Sequence, residues 1–373
     1  MSDLDNIEFE LVFILCTVKC YNEYRERQKL TRSAILPPRQ APWLRLLNFG
    51  DDQSFLVMTT LTRTAFMAAE KVLWPSKAPQ IRGRPCCLDN RGKLGLYLFY
   101  VGSRCCHKHL CLLFGIVPSV CQDIVTSMIR LVCKKLSKHP HSQIKFPNET
   151  EKVELARIVR LREPLVNNII GFSDGLTVLS ECNSDREEQN AFYNGYYHDT
   201  CVNNVFLFSA IGKICLAAIN YPGSWHDSEV ARQMIVFILK EIGDFAICVD
   251  QGFPRSGDVF DKLVGPLSRK QMENLGPILR DTIIAKVRTY VSLRQGAEWG
   301  MRGLQGSYPR LKSRLTSHKQ RRYYLILSIV LIYNFRTAYV GLNQIATVFN
   351  PEYDQYINLE GYERLERFFP GYS

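Results

Sequence analysis

Asp174 and Asp250 stand where a carboxylate is hardest to explain. Asp174 follows the run IIGFS and precedes Gly175, and Asp250 follows FAICV and precedes Gln251-Gly252. Both runs are short, free of charge and followed closely by glycine, the pattern of a buried strand ending in a turn. A lone carboxylate taken out of water costs several kcal/mol unless something pairs with it. The partner can be an arginine, a set of backbone amides or a metal ion. If the two strands are neighbours in one sheet, their ends bring the carboxylates together, and each raises the other's pKa. A divalent cation removes that penalty. Oxygen donors with no surrounding Cys or His favour Mg²⁺ or Mn²⁺. Two such ions about 3.5–4 Å apart suit phosphodiester cleavage, activating a water and stabilising the leaving oxygen.

Such a site needs a third acid. Glu298 lies in SLRQGAEWGMRGLQGSYPRLK, with Arg294 and Arg302 four residues to either side. Either Glu298 is the third ligand or the three residues form an Arg-Glu-Arg ion-pair ladder on a helix surface.

The elements that must position these acids follow from the pattern. After about Asn167 come three strands, around NNIIGFSDGLTVL, NNVFLFS and KICLAAINY. PGSWHDS then leads into the helix SEVARQMIVFILKEI, and the strand before Asp250 comes next. A helix near 272–305 and an apolar helix around 323–340 complete a mixed α/β layer fold. The apolar stretch 323–333 is too short to span a bilayer and reads as a buried helix.

The front of the chain is different. Residues 1–150 hold 21 Lys+Arg and 12 Asp+Glu, a net of +9 out of +11 for the whole chain. Residues 61–145 alone hold 14 basic and 3 acidic residues, the positive field of a polyanion binder. Helices are expected over 8–30 and 55–72, on either side of the extended stretch ILPPRQAPW. RGRP at 82–85, with Arg82 and Arg84, is either a minor-groove arm or, as preferred, a loop entering a helical domain. A short helix at CHKHLCLLF, a turn carrying Gly115 and Pro118, and a long helix at SVCQDIVTSMIRLVCKKL make a helix-turn-helix pattern. Its outward face offers Gln122 to bases and Arg130, Lys134 and Lys135 to phosphates; the alternative is an ordinary packing unit of three helices. CCHKHLC at 105–111 lacks the distant second pair of a zinc site, so its thiols are expected to pack in a helical core.

FSDG, YPGSWHDS, VDQGFPRSG and EWGMRGLQGSYPRLK occur in this order. Together they resemble the DDE-type endonuclease domain of the PIF/Harbinger transposase group and its domesticated nucleases, over roughly 167–345. Gln251, where many members carry a small residue, and Ser173, where an apolar one is common, depart from the family pattern without removing an acid.

The resemblance implies an RNase H-like fold with Asp174, Asp250 and Glu298 as catalytic acids holding Mg²⁺ or Mn²⁺. It also implies Asp227 as a further carboxylate near the metals, the alternative being a helix-capping pair with Ser224. The basic residues after Glu298, namely Arg302, Arg310, Lys312, Arg314, Lys319, Arg321 and Arg322, would hold DNA phosphates or form a solvated surface.

The expected organisation is four-part. An N-terminal helical region (1–80) precedes a helix-turn-helix-like DNA-binding region (81–145). A DDE endonuclease domain (165–345) and a C-terminal tail (346–373) follow.

The expected activity is metal-dependent cleavage of DNA phosphodiester bonds, with a transposase-derived DNA-binding protein that has lost cleavage as the alternative. A small-molecule phosphohydrolase needs neither the basic front nor the helix-turn-helix. Partners expected are DNA, a separate Myb-like DNA-binding protein and further copies of the chain, with no membrane. The acidic opening MSDLDNIEFE is unlike a signal peptide, and the 13 cysteines are expected as reduced thiols. The nucleus follows as the expected location from the substrate.

Overall fold

The structure, a computed structural model, describes residues 13–19, 30–75, 87–273 and 277–349. Arg82, Arg84 and the tail beyond 349 lie outside the described residues, as does most of the expected helix over 8–30; within it, 13–19 is helical (α1).

A helical layer comes first. It comprises α2 (Pro42–Phe49), α3 (Asp52–Thr59), α4 (Arg63–Leu73), α5 (Asn90–Val101), α6 (His107–Phe114), α7 (Pro118–Leu136) and α8 (Glu149–Arg162). The helix expected over 55–72 is broken in two. Thr60 turns left-handed at φ 65°, and Thr62 restarts the chain by accepting a hydrogen bond from the Ala65 amide. Two competing caps thus override a continuous helical pattern. Helices α6 and α7 meet at 96° around Gly115, whose φ of +68° closes the turn. Helix α8 falls outside the expected elements, although Asn148 and Glu151 form a reciprocal capping box at its start.

The second layer is a sheet. Its strands are β1 (Ile169–Leu179), β2 (Tyr193–Asn194), β3 (Asp199–Ser209), β4 (Ile214–Pro222), β5 (Ala246–Val249) and β6 (Leu263–Val264). Helix α9 (Arg186–Phe192) precedes β2, α10 (Asp227–Glu241) lies between β4 and β5, and α11 (Arg269–Glu273), α12 (Pro277–Ser307), α13 (Lys319–Val340) and α14 (Gln344–Phe349) follow. The long strands run β4-β3-β1-β5, with β6 at the far edge. Strand β1 is antiparallel to β3 and parallel to β5, and β5 is parallel to β6. This mixed sheet flanked by helices is an RNase H-like arrangement.

Helix α12 lies directly on the sheet because it carries glycine where the ring systems press. A Cβ at Gly296 would come 2.6 Å from the Phe172 ring, and one at Gly300 would come 2.7 Å from the Phe208 ring. Helix α13 is long and apolar enough to cross a bilayer by length and composition, yet it runs through the core, packed on α7 and β4. Leu325, Ile329, Ile332 and Phe335 are buried there. Buried Asn334 satisfies both backbone groups of Ile214 at 2.8 Å, so even its polar group is spent inside. The helical layer and the sheet share one continuous apolar core through this helix. The cysteines among the described residues are free thiols, and Cys111, Cys121, Cys133, Cys201, Cys215 and Cys248 are buried.

Candidate active site

The parallel pairing of β1 and β5 sets the site. Ser173 lies opposite Val249, so the next residue on each strand is an aspartate, Asp174 beside Asp250. One expectation needs correction: Asp174 is not at a strand end. It sits in the middle of β1, which continues to Leu179 because its second half pairs with β3. Only Asp250 ends its strand.

Asp227 joins them from α10. Its carboxylate packs so closely on Gly175 that a Cβ there would meet Asp227 Oδ2 at 2.3 Å; glycine is what lets the carboxylate lie against the β1 backbone. The loop before α10 is tied down from β3. Asn203 accepts from Thr177 Oγ1 at 2.8 Å and donates to the Trp225 carbonyl at 2.5 Å, while Asn194 donates to the Gly223 carbonyl at 2.6 Å. The capping pair between Ser224 and Asp227 is not what forms. His226 is the N-cap, accepting from the Ser228 amide, and Asp227 is the first helical residue, where its charge also suits the helix dipole.

Glu298 arrives from α12 together with Arg294. The Arg294 guanidinium donates to Asp250 at 2.8 Å and to Glu298 at 2.8 Å. Half of the surface ladder therefore exists, but Arg302 makes no ion pair among the described residues, and Arg294 reaches across to β5 instead. Arg294 is the residue that sequence reading undervalues. Its i−4 spacing from Glu298 is visible, whereas its contact with Asp250 depends on how α12 crosses the sheet.

The electrostatics show what clustering these carboxylates costs, with Asp174, Asp250 and Glu298 sharing the field of Arg294. Burial pushes Asp174 up to about 6; the Gly175 amide, 2.8 Å from Oδ1, opposes this, and the charges of Asp250 and Asp227 add to it. Burial also raises Asp227, against the pull of His226. Hydrogen bonding to Asp250 is the main reason that Arg294 is raised. The lone carboxylates thus find two of the partners that chemistry allows, an arginine and a backbone amide, and a net negative cluster remains.

A divalent cation fits that cluster by donor chemistry, four hard carboxylates with no thiol. As placed, no three of the acids converge on one point among the described residues, and Arg294 stands between Asp250 and Glu298.

A stability prediction follows from Asp174. Its ordinary pKa is about 3.9. With a folded value of about 6, the ionised form is penalised in the fold. The stability associated with its proton is fully present below about pH 4 and is lost as pH rises through 6. Asp174→Asn should therefore raise the metal-free melting temperature at pH 7.5, by a few degrees for about 2–3 kcal/mol. The gain should close toward pH 4. Thermal melts in EDTA across this range check it; a lower melting temperature at pH 7.5 would show that the carboxylate is favourably held.

The basic residues divide. Arg302 lies one helical turn beyond Glu298 and is exposed, as is Lys312. Gln122, Arg130 and Lys134 line a groove facing Arg314 and Arg321, while Lys135 is half-buried outside it. Two expected phosphate contacts are corrected. Arg310 donates to the carbonyls of Tyr100 and Cys105 at 2.9 and 2.6 Å and lies 4.2 Å above the Tyr100 ring, so it is an internal tie. Arg322 is buried, bound to Asn220 Oδ1 at 2.6 Å and to the carbonyls of Thr316 and Ser317.

Residues 173–334 match the family described as DDE superfamily endonuclease. No curated protein and no solved structure matches the chain. The matched segment contains Asp174, Asp227, Asp250 and Glu298.

Proposed function

We propose that the chain is a metal-dependent DNA endonuclease of the PIF/Harbinger transposase type. The observation that carries this reading is the gathering of Asp174, Asp227 and Asp250 at the β1–β5 pair, with Glu298 joined to Asp250 through Arg294. Asp174, Asp250 and Glu298 are the catalytic acids, with Asp227 beside them, and the four would hold Mg²⁺ or Mn²⁺. A divalent cation bound there supplies Lewis acidity toward the scissile phosphoryl group. The chain's own part is to fix the acids on rigid strands and a helix, and to offer Arg302 and Lys312 to the flanking phosphates. DNA is the substrate. A Myb-like DNA-binding protein and further copies of the chain are the proposed partners, and the nucleus is the proposed location.

One observation favours a second reading. Arg294 neutralises Asp250 and Glu298 together, as it would in a transposase-derived DNA-binding protein that has lost cleavage. Incubation with supercoiled plasmid in Mg²⁺, in Mn²⁺ and in EDTA separates the two. Nicking that needs the cation supports the endonuclease. DNA binding without nicking under every condition supports the second reading.

A further inference from the structure

A groove of about 900 Å³ opens between α7 of the helical layer and the segment from Arg310 to Leu327 that enters α13. Its charge is one-sided. Arg130, Lys134 and Arg321 line it with exposed side chains that make no ion pair among the described residues, and Glu181 is the one acidic residue on its wall. Arg314 also lines it, already paired with Asp199 at 2.6 Å. Among the cations the wall also carries the apolar and aromatic side chains of Ile129, Tyr324 and Leu327, besides polar ones such as Gln122 and Gln320. His107 lines the groove too; its buried Nε2 has no hydrogen-bond partner, and burial holds its pKa below the usual histidine value, leaving a neutral ring.

The wall of the groove is joined to the strand that carries Asp174. Leu315 bridges to Ser180, the residue that follows β1, and Ser180 lies six residues beyond Asp174, about 20 Å along an extended chain.

Size decides what enters. A B-form duplex occupies roughly 1,000 Å³ per base-pair step, so about 900 Å³ encloses less than one step of duplex. One unpaired strand of roughly two or three nucleotides fits, in the range of about 300–1,000 Å³ typical of ligand sites. Cations alternating with apolar and aromatic side chains are what single strands use, phosphates to the first and base faces to the second.

We propose that this groove binds an unpaired single strand of the DNA flanking the cut. The long helix α7 then reads a strand pressed between itself and α13 rather than a major groove. The inference rests on the reading that the matched domain acts on DNA.

The test is fluorescence anisotropy with a labelled short oligothymidylate and a duplex of equal length, using the wild type and the triple variant Arg130→Gln, Lys134→Gln, Arg321→Gln. All three side chains are exposed and unpaired, so the variant should keep its melting temperature. Affinity for the strand should fall at least tenfold and duplex affinity by less than about threefold. The salt slope for the strand should flatten by about two, since three lost contacts each contribute about 0.7. Equal losses on both probes, or no loss on either, would overturn the proposal. Wild-type protein that nicks plasmid but does not bind the strand would overturn the groove alone. Groove-dependent strand binding with no nicking would defeat the endonuclease reading and leave the groove standing.

Discussion

Asp250→Asn should abolish cation-dependent plasmid nicking, by at least about 10³-fold, the scale on which removing a group that acts at the transition state registers. Asparagine keeps the size and the turn after β5, so the change is one negative charge. That charge directly follows the uncharged strand β5, one residue past the Ser173–Val249 pair, and lies 2.8 Å from Arg294. A cation held by Asp174 and Glu298 would lose one carboxylate ligand without it. Plasmid relaxation measured side by side with Mg²⁺ and Mn²⁺ gives the ratio. Equal nicking by wild type and variant removes Asp250 from the chemistry, and the acidic set would have to be sought elsewhere.

The second large effect is on cation affinity. Arg294→Met should tighten Mn²⁺ binding by about tenfold while lowering metal-free stability. The guanidinium makes two ion pairs, to Asp250 and Glu298, with both partners about 38% exposed. Pairs of this kind contribute roughly 0.2–1 kcal/mol each. A cation that takes both carboxylates must break them, and about 1.4 kcal/mol corresponds to tenfold in affinity. Without Arg294 the four acids repel one another and the fold loses what the arginine neutralised. Calorimetric titration with Mn²⁺ in the absence of DNA reads the affinity directly, independently of turnover. Weaker binding in the variant would mean that Arg294 holds the acids in an ion-binding posture, a positioning role rather than a competing one.

Much of the site was legible because its signals are local. The apolar runs before Asp174 and Asp250, the helical spacing of 227–241 and the i±4 neighbours of Glu298 each fit within a dozen residues. The expected strands, the helix after PGSWHDS and the helix carrying Glu298 all form where the pattern places them. The two-residue strands β2 and β6 are too short to carry any period. The break at Thr60 turned on caps that compete with a continuous pattern.

The arginines show most sharply what the sequence leaves open. Arg302, Arg310, Arg314, Arg321 and Arg322 form one basic run on paper. In the fold one is exposed beside an acid, one ties two carbonyls to a tyrosine ring, one pairs with Asp199, one faces a groove and one is buried against Asn220. A guanidinium carries the same charge in all five places; what differs is which carbonyls and carboxylates the rest of the chain brings to it.

The sequence by itself determined the strands that carry Asp174 and Asp250, the helices that carry Asp227 and Glu298, and the order of these four acids, because apolar periodicity and turn residues act over short range. Only the tertiary structure decided that β1 lies parallel to β5 and so sets Asp174 beside Asp250, that Gly175 admits Asp227, and that Arg294 bridges to Asp250. These depend on pairings between residues 44 to 76 positions apart in the chain. The free energy of such contacts comes from burying several elements at once, which no local stretch of sequence encodes.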